Sequence, residues 1–208
     1  MKKLIALLLA ALMVLSLAAC GEKKDEGTKP IYEDDLPPTT EERPSDELLN
    51  FPENALDVLS DIWALYGDDE KFPVMGGNPE GGVMDGPAVY DEAYIEGLMN
   101  HLVVPETSLD DIAEAATMLH MMNANTFTSG AVKLADTVDS KAFADAMHTA
   151  ITNNQWMCGM PERLVITAVS DGYVLIAFGV NDAMTSFCEK LNTAYPQQNT
   201  FYDEAITG

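Results

Sequence analysis

Basic residues are scarce in this chain of 208 residues, which has 11 Lys and Arg against 34 Asp and Glu and a formal net charge of −23. Nucleic-acid binding depends on clustered Lys and Arg side chains that face phosphates. Attraction to anionic lipid headgroups depends on the same residue types. The composition therefore excludes a nucleic-acid partner, and it excludes a membrane attachment that relies on charge alone.

Cysteine is also scarce, and the spacings typical of catalytic or metal sites are missing. Three cysteines exclude a disulfide-rich scaffold. His101, His120 and His148 form no HxxxH or HxH pair, whereas zinc sites usually have two ligands close in sequence. No serine lies in a GxSxG or SxxK motif. The sequence therefore predicts no catalytic residues, no metal ligands and no cofactor.

The remaining sulfur-containing residues favour packing over chemistry. Cu(I) sites use Met and His, but the segment Met118–Met122 (MLHMM) is more typical of adaptable core packing. Cys158 and Cys188 lack a CxxC context, and Cys188 lies on the apolar stripe of a predicted helix. We therefore expect methionines that fill a core and two cysteines that do not form a structural disulfide.

The N-terminus has the three-part pattern of a secretory signal. Lys2 and Lys3 precede an apolar run over residues 4–17, and small residues follow. The run is too short for a typical membrane-spanning helix, and a polar, charged stretch comes directly after it. We predict a signal peptide over residues 1–19.

The segment Leu17-Ala18-Ala19-Cys20 resembles the lipobox of bacterial lipoproteins. The resemblance implies cleavage before Cys20 and a fatty-acylated diacylglycerol, palmitate being a typical chain, on its thiol. It also implies a location on the outer, extracytoplasmic face of the cell membrane. A cysteine suits this role because its thiolate is the nucleophile that accepts the alkyl group. The predicted membrane partner is therefore the lipid on Cys20.

The rest of the chain divides into a tether and a body. Residues 20–46 are rich in proline and charge and poor in large apolar side chains, so they cannot bury enough surface to offset the entropy of ordering. We predict a disordered tether over 20–46, which begins at the lipidated cysteine. Residues 47–208 have the size and apolar content of a single domain.

Hydrophobic periodicity predicts the elements of this body. Helices are predicted over 52–66, 88–100, 109–119, 140–153 and 183–194, and strands over 126–135, 164–169 and 173–180. We expect Thr107 or Ser108 to cap the helix at 109–119, and Asn181 or Asp182 to cap the last helix.

The order of these elements predicts the fold class. Asp171-Gly172 between two β-rich runs is a strong hairpin signal, and we expect a primed turn with positive φ at both residues. Residues 126–194 then read β-α-β-β-α. This order predicts an α+β fold with an antiparallel sheet and helices packed on one face.

The glycine-rich segment 67–87 is predicted to be a loop, with a short strand near residues 72–75. A phosphate-binding P-loop would need a Lys and a hydroxyl residue after its last Gly, where Met84 and Asp85 stand. The sequence assigns no role to the glycine-rich part of this loop at 76–87.

The body also resembles clostridial-type lipoproteins that share a domain of unknown function. The matching features are the lipobox, the helix Ala55–Tyr66, the segment Met121–Asn125 before a strand, and the unit LVITAVSDGYVLIAFG at 164–179. A helix with Phe143 and Met147 also matches. The resemblance covers residues 55–190. It implies location and fold, and it implies no catalytic or binding residues.

Two functions remain open. The first is a membrane-anchored binding or interaction module with an unknown protein or small-molecule partner, and the missing catalytic set favours this non-enzymatic role. The alternative is a cell-envelope hydrolase that uses Asp85, Asp91 and Glu92 near the glycine-rich loop. A pocket with two buried carboxylates would favour the hydrolase, whereas a flat face with exposed aromatic side chains would favour the binding module.

Overall fold

The computed structural model describes residues 49–78 and 80–207. The predicted signal peptide, Cys20 and the tether at 20–46 lie outside these residues. The helices are α1 Ala55–Ala64, α2 Leu98–His101, α3 Ser140–Thr152 and α4 Asn181–Ala194. The strands are β1 Val74–Gly76, β2 Val83–Met84, β3 Ala88–Tyr90, β4 Ile112–His120, β5 Phe127–Leu134, β6 Arg163–Ser170, β7 Tyr173–Gly179 and β8 Asn199–Ala205.

All eight strands join one antiparallel sheet in the order β2-β1-β4-β5-β7-β6-β8, with β3 paired to β4. The α+β class is therefore confirmed, and so is the order β5-α3-β6-β7-α4. Among the described residues, no helix has the length and apolarity needed to cross a bilayer.

The sheet has helices on both of its faces. On one face, α1 and α4 pack Leu59 and Phe187 against a cluster that includes Leu175 of β7. On the other face, α3 packs Met147 against a cluster that includes Ile176 of the same strand. The two helices of the predicted β-α-β-β-α unit, α3 and α4, thus lie on opposite faces of the sheet, so the expected packing of the helices on one face is wrong. The central strands carry apolar side chains on both faces, and each face therefore needs its own helix. Successive residues of β7 point to opposite faces, so both sides of this strand are buried.

The predicted helix at 109–119 is wrong. Glu106–Asp111 forms a 3₁₀ turn, and Ile112–His120 is strand β4, which pairs with β5. Residues 115–119 are all buried because both faces of the sheet are covered. A strand buried on both sides loses the polar–apolar alternation that identifies it, and its local helix propensity is overridden by pairing.

Three smaller differences concern ends and turns. Residues 88–90 form β3, where a helix was predicted, and a 3₁₀ turn Glu92–Gly97 leads from there into α2. The strand predicted near 72–75 is β1, which begins two residues later and ends one residue later, and it pairs with β2 to form a hairpin. Strand β8 was not predicted, because it lies on an exposed edge and its mostly polar sequence carries no clear apolar alternation.

Two helices have side-chain caps, and the caps predicted for a third are wrong. The side chains of Asn54 and Asp139 accept the N–H groups that open α1 and α3. The expected caps of α4, Asn181 and Asp182, instead lie in its first turn. The carboxylate of Glu162 accepts the Asn181 N–H at 2.8 Å, so an acid from a neighbouring segment replaces a local cap.

The β6–β7 hairpin turns at Asp171-Gly172, as expected. Gly172 has φ +76°, but Asp171 is not in the left-handed region. The expected primed turn is therefore wrong in its first residue. A bulge between Ala168 and Ser170 accompanies the turn and adjusts the twist of the two strands.

Candidate functional site

A cleft of about 570 Å³ lies between the start of α1, the end of β3 and the first half of β4. Apolar side chains form part of its lining, among them Leu56, Val89 and Ala115. The acidic residues Asp91, Glu92 and Glu114 also line it. An apolar recess with a few charged groups is the usual form of a small-ligand site.

A β-bulge positions the carboxylate of Glu114. The β4–β5 register shifts between Ile112 and Glu114, and Ala113 is the extra residue. The Glu114 carboxylate then reaches α1, where it accepts the Ala55 N–H at 3.3 Å, and it lies 3.5 Å from the ammonium of Lys133. Glu114 therefore joins the sheet to the N-terminus of α1, where a negative charge is favourable.

The glycine-rich loop forms another wall of the cleft. The Thr117 hydroxyl accepts the Gly77 N–H and donates to the Gly77 carbonyl, both at 3.1 Å, which fixes the loop to β4. Asn78 then lines the cleft, and its side chain donates to the Glu80 carbonyl at 2.8 Å. A Cβ on Gly76 would lie 2.2 Å from the Ala88 nitrogen. The glycines thus allow this segment and β3 to approach closely.

A tyrosine–histidine pair lies beneath the cleft. The Tyr90 hydroxyl is 3.1 Å from Nδ1 of His101. Burial raises the pKa of Tyr90 and lowers the pKa of His101, so both groups are held in their neutral forms. Tyr90 is 2% exposed, and its ring fixes the end of β3, from which Asp91 enters the cleft.

The structure brings together two of the three acids proposed for hydrolysis. Asp91 and Glu92 share the cleft, and both are exposed; Asp91 accepts the Ala93 N–H at 2.9 Å. Asp85 does not line the cleft, and its carbonyl accepts the Trp63 indole N–H at 3.1 Å. A general acid of a hydrolase usually needs burial to retain its proton. Exposed carboxylates are better suited to attracting a cation.

Glu114 was missed by sequence reasoning. The sequence predicts a helix over 109–119, and a helix there gives no reason to place Glu114 near Asp91 and Glu92. The signal that could have found it is the strand assignment of β4, since β3 then pairs beside residues 115–117 and brings Asp91 near Glu114.

The three histidines lie in separate surroundings. His101 is the partner of Tyr90. His120 stacks on Phe72, and its Nδ1 accepts the Met122 N–H at 3.2 Å. His148 stacks on Tyr202 and is 2.7 Å from the Glu204 carboxylate. Within the described ranges, no three His, Cys, Asp or Glu side chains are placed to hold a metal ion.

The sulfur-containing residues only partly follow expectation. Cys158 is exposed, Cys188 is half-buried, and the two thiols are not joined in the described part of the chain. Met118 is fully buried, as expected for core packing. Met121 and Met122 are exposed, so the packing interpretation is wrong for these two residues.

Comparison of the chain with protein-family models, with curated proteins and with solved structures finds no match. Function therefore has to be inferred from the chain's own residues and their geometry.

Proposed function

We propose that the protein is a lipid-anchored binding module on the extracytoplasmic face of the cell membrane. Its body would bind a small ligand that has both a cationic group and an apolar part. The single observation that carries the ligand proposal is the cleft, where exposed carboxylates adjoin apolar side chains. The net charge of −23 adds a long-range attraction for cations.

The membrane part of the proposal depends on Cys20. The charged and apolar leader, followed by Leu-Ala-Ala-Cys, supports a signal peptide at 1–19 and lipid attachment at Cys20. A lipid with two or more acyl chains is sufficient for stable anchoring. The resemblance to clostridial-type lipoproteins belongs to the same proposal, and it supports location without indicating a ligand.

The hydrolase alternative has weaker support. It requires at least one carboxylate that keeps its proton near neutral pH, and such groups are usually buried. Asp91 and Glu92 are exposed, and Glu114 already has Lys133 and the Ala55 N–H as partners. Binding by charge and apolar contact needs no such protonated group.

The ligand proposal is tested by titrating the full chain with benzyltrimethylammonium, which joins an apolar ring to a permanent cation. We expect NMR shifts at Leu56, Val89 and Ala115, and binding that weakens as salt rises. Glu92→Gln should weaken binding about fivefold, the effect of losing one exposed charge contact. Glu92 is chosen because, unlike Asp91, it caps no turn.

Asp136→Asn is the matched control, since Asp136 is an exposed acid outside the cleft. It should leave the affinity unchanged. Equal weakening by both variants would mean that net charge alone attracts the probe. Equal binding of benzenesulfonate, an anion of similar shape, would contradict a cation-binding cleft.

The anchor is tested separately by fractionating cells that express the wild type or Cys20→Ser after labelling with a palmitate analogue. We expect label and membrane association for the wild type and neither for the variant. A labelled Cys20→Ser protein in the membrane fraction would overturn the lipidation proposal, and the cleft proposal would be unaffected.

A further inference from the structure

Two loops rich in sulfur meet at the end of the sheet where β4 and β7 end and where β5 and β6 begin. The first loop, residues 121–125, leads from β4 to β5. The second loop, residues 156–160, lies between α3 and β6. We call these two segments the sulfur loops.

Two asparagines of the first sulfur loop hold the backbone of the second. The Asn125 amide donates to the carbonyls of Met157 and Gly159, both at 2.6 Å, and the Asn123 amide donates to the Cys158 carbonyl at 3.0 Å. Three consecutive carbonyls are therefore bound by two side chains. These hydrogen bonds fix two segments that lie more than 30 residues apart in sequence.

Aromatic packing against the sheet also holds residues in or next to both sulfur loops. Trp156 packs on Phe178, with ring centroids 5.2 Å apart, and His120, which precedes the first loop, stacks on Phe72. Cys158 and Gly159 have φ +65° and +112°. A left-handed backbone is costly for Cys158, and such strain persists only where the surrounding structure holds it.

The sulfur side chains of these loops are turned to solvent. Met122 is 84% and Met157 is 81% exposed, Met121 and Met160 are 43% and 42% exposed, and Cys158 is exposed as well. In contrast, the described methionines inside the two core clusters are fully buried. Exposing several large apolar side chains on adjoining loops gives no folding benefit, so a binding role is indicated.

The donors on the sulfur loops select one class of ligand. Thioether and thiolate sulfur are soft donors that prefer Cu(I), whereas hard cations prefer oxygen. Methionine is unbranched and has three rotatable bonds, so its sulfur can adjust to a metal ion from either loop.

We propose that the sulfur loops form a site for a soft monovalent cation, Cu(I), held by the Cys158 thiolate together with methionine thioethers from both loops. On binding, the Cys158 S–H bond breaks, its proton passes to solvent and a Cu–S bond forms. Copper stays in the +1 state, so no oxidant or reductant takes part. This site is separate from the acidic cleft, and it does not depend on the ligand proposed there.

The test is an anaerobic Cu(I) titration of the full chain in detergent against bathocuproine disulfonate, with ascorbate present. All variants carry Cys20→Ser, so that Cys158 and Cys188 are the only thiols. We expect one Cu(I) per chain. Cys158→Ser should lower the affinity by about 100-fold, since a metal-bound thiolate is lost. The double variant Met122→Leu, Met157→Leu should lower it by about tenfold.

Two controls match these variants. Cys188→Ser removes the half-buried thiol, and Met84→Leu removes an exposed methionine elsewhere; both should bind Cu(I) as the parent does. Circular dichroism melting of each variant confirms that it folds. The proposal is overturned if no one-to-one Cu(I) complex forms. That result is expected if the exposed methionines serve only to contact another protein. The proposal is also overturned if Cys158→Ser and Cys188→Ser behave alike, or if the double methionine variant binds like the parent.

Discussion

At the scale of single residues, the surrounding space distinguishes two glycines of ordinary backbone geometry, Gly97 and Gly86. A Cβ on Gly97 would lie 2.2 Å from the Tyr90 hydroxyl oxygen, whereas a Cβ on Gly86 would meet only Trp63, at 3.9 Å. Gly97 has an ordinary helical φ of −64°, so its constraint is steric and not conformational. Gly97 is therefore a packing requirement of the pair beneath the cleft.

We expect Gly97→Ala to destabilise the domain by about 1–3 kcal/mol through overpacking. Gly86→Ala should stay within about 0.5 kcal/mol of the wild type. Urea unfolding of the two variants measures the difference. Equal stabilities would show that Tyr90 moves aside without cost.

The Tyr90–His101 pair also predicts a pH dependence. Burial lowers the pKa of His101 below its ordinary value of 6.5, so the unfolded chain binds a proton more readily than the folded one. The stability that depends on neutral His101 is present above pH 6.5, and it is lost as the pH falls through the folded-state pKa. We expect the melting temperature to drop between pH 7 and pH 5, and His101→Gln to reduce that drop. An identical drop in His101→Gln would contradict this assignment.

At the scale of the elements, the β6–β7 turn depends on one backbone angle. Gly172 has φ +76°, and a Cβ there would meet nothing within 4 Å, so any cost of substitution comes from the backbone alone. We expect Gly172→Val to cost about 1–3 kcal/mol. Gly172→Asn should cost much less, because Asn tolerates the left-handed region. Thermal melting of both variants tests this, and equal melting temperatures would contradict it.

The attachment of the glycine-rich loop to β4 gives a second test. Thr117→Val removes both hydrogen bonds to Gly77 and should cost about 1–3 kcal/mol, because a buried N–H and C=O lose their partner. Thr167 is also fully buried, but its hydroxyl has no hydrogen-bond partner among the described residues. Thr167→Val should therefore be neutral or stabilising. Unfolding in urea compares the two, and a larger loss in Thr167→Val would refute the argument.

Elements with a clear period were predictable from sequence, and those without one were not. Helices α1, α3 and α4 each bury one stripe, and the turn at Asp171-Gly172 carries its own signal. Strand β4 was not predicted because a strand covered on both faces loses its polar–apolar alternation. Strand β8 was not predicted because a strand on an exposed edge needs few apolar residues.

The candidate sites were less predictable than the elements. The cleft requires β3 and β4 to be neighbours, and both had been assigned to helices. Asp91 and Glu92 could be chosen by their proximity in sequence, but Glu114 joins them only through pairing in the sheet. The sulfur loops meet through Asn123 and Asn125, and no local pattern indicates such long-range hydrogen bonds.

At the scale of the whole molecule, β8 protects the apolar centre of the sheet. It covers the free side of β6, and Arg163 binds Asp203 through two hydrogen bonds of 2.8 Å. Asp203 and Glu204 place charge on the outer edge, which discourages pairing with another chain.

We expect a chain that ends at Gln198 to self-associate, because its new edge strand, β6, has five of its eight residues buried in the intact sheet. Light scattering at micromolar concentration should detect the aggregates, and the full chain should show none under the same conditions. A monomeric, folded truncated chain would show that β8 is dispensable.

Strand β8 follows the other described strands in the chain, and this order affects how the sheet assembles as the polypeptide emerges. A polypeptide that emerges with its N-terminus first completes β6 more than 25 residues before the strand that covers it. During that interval the sheet can grow by capturing a strand from another copy as readily as by waiting for its own. The risk of misassembly is therefore greatest while β6 is complete and β8 has not yet paired with it, and it should rise with the number of copies that pass through this stage together.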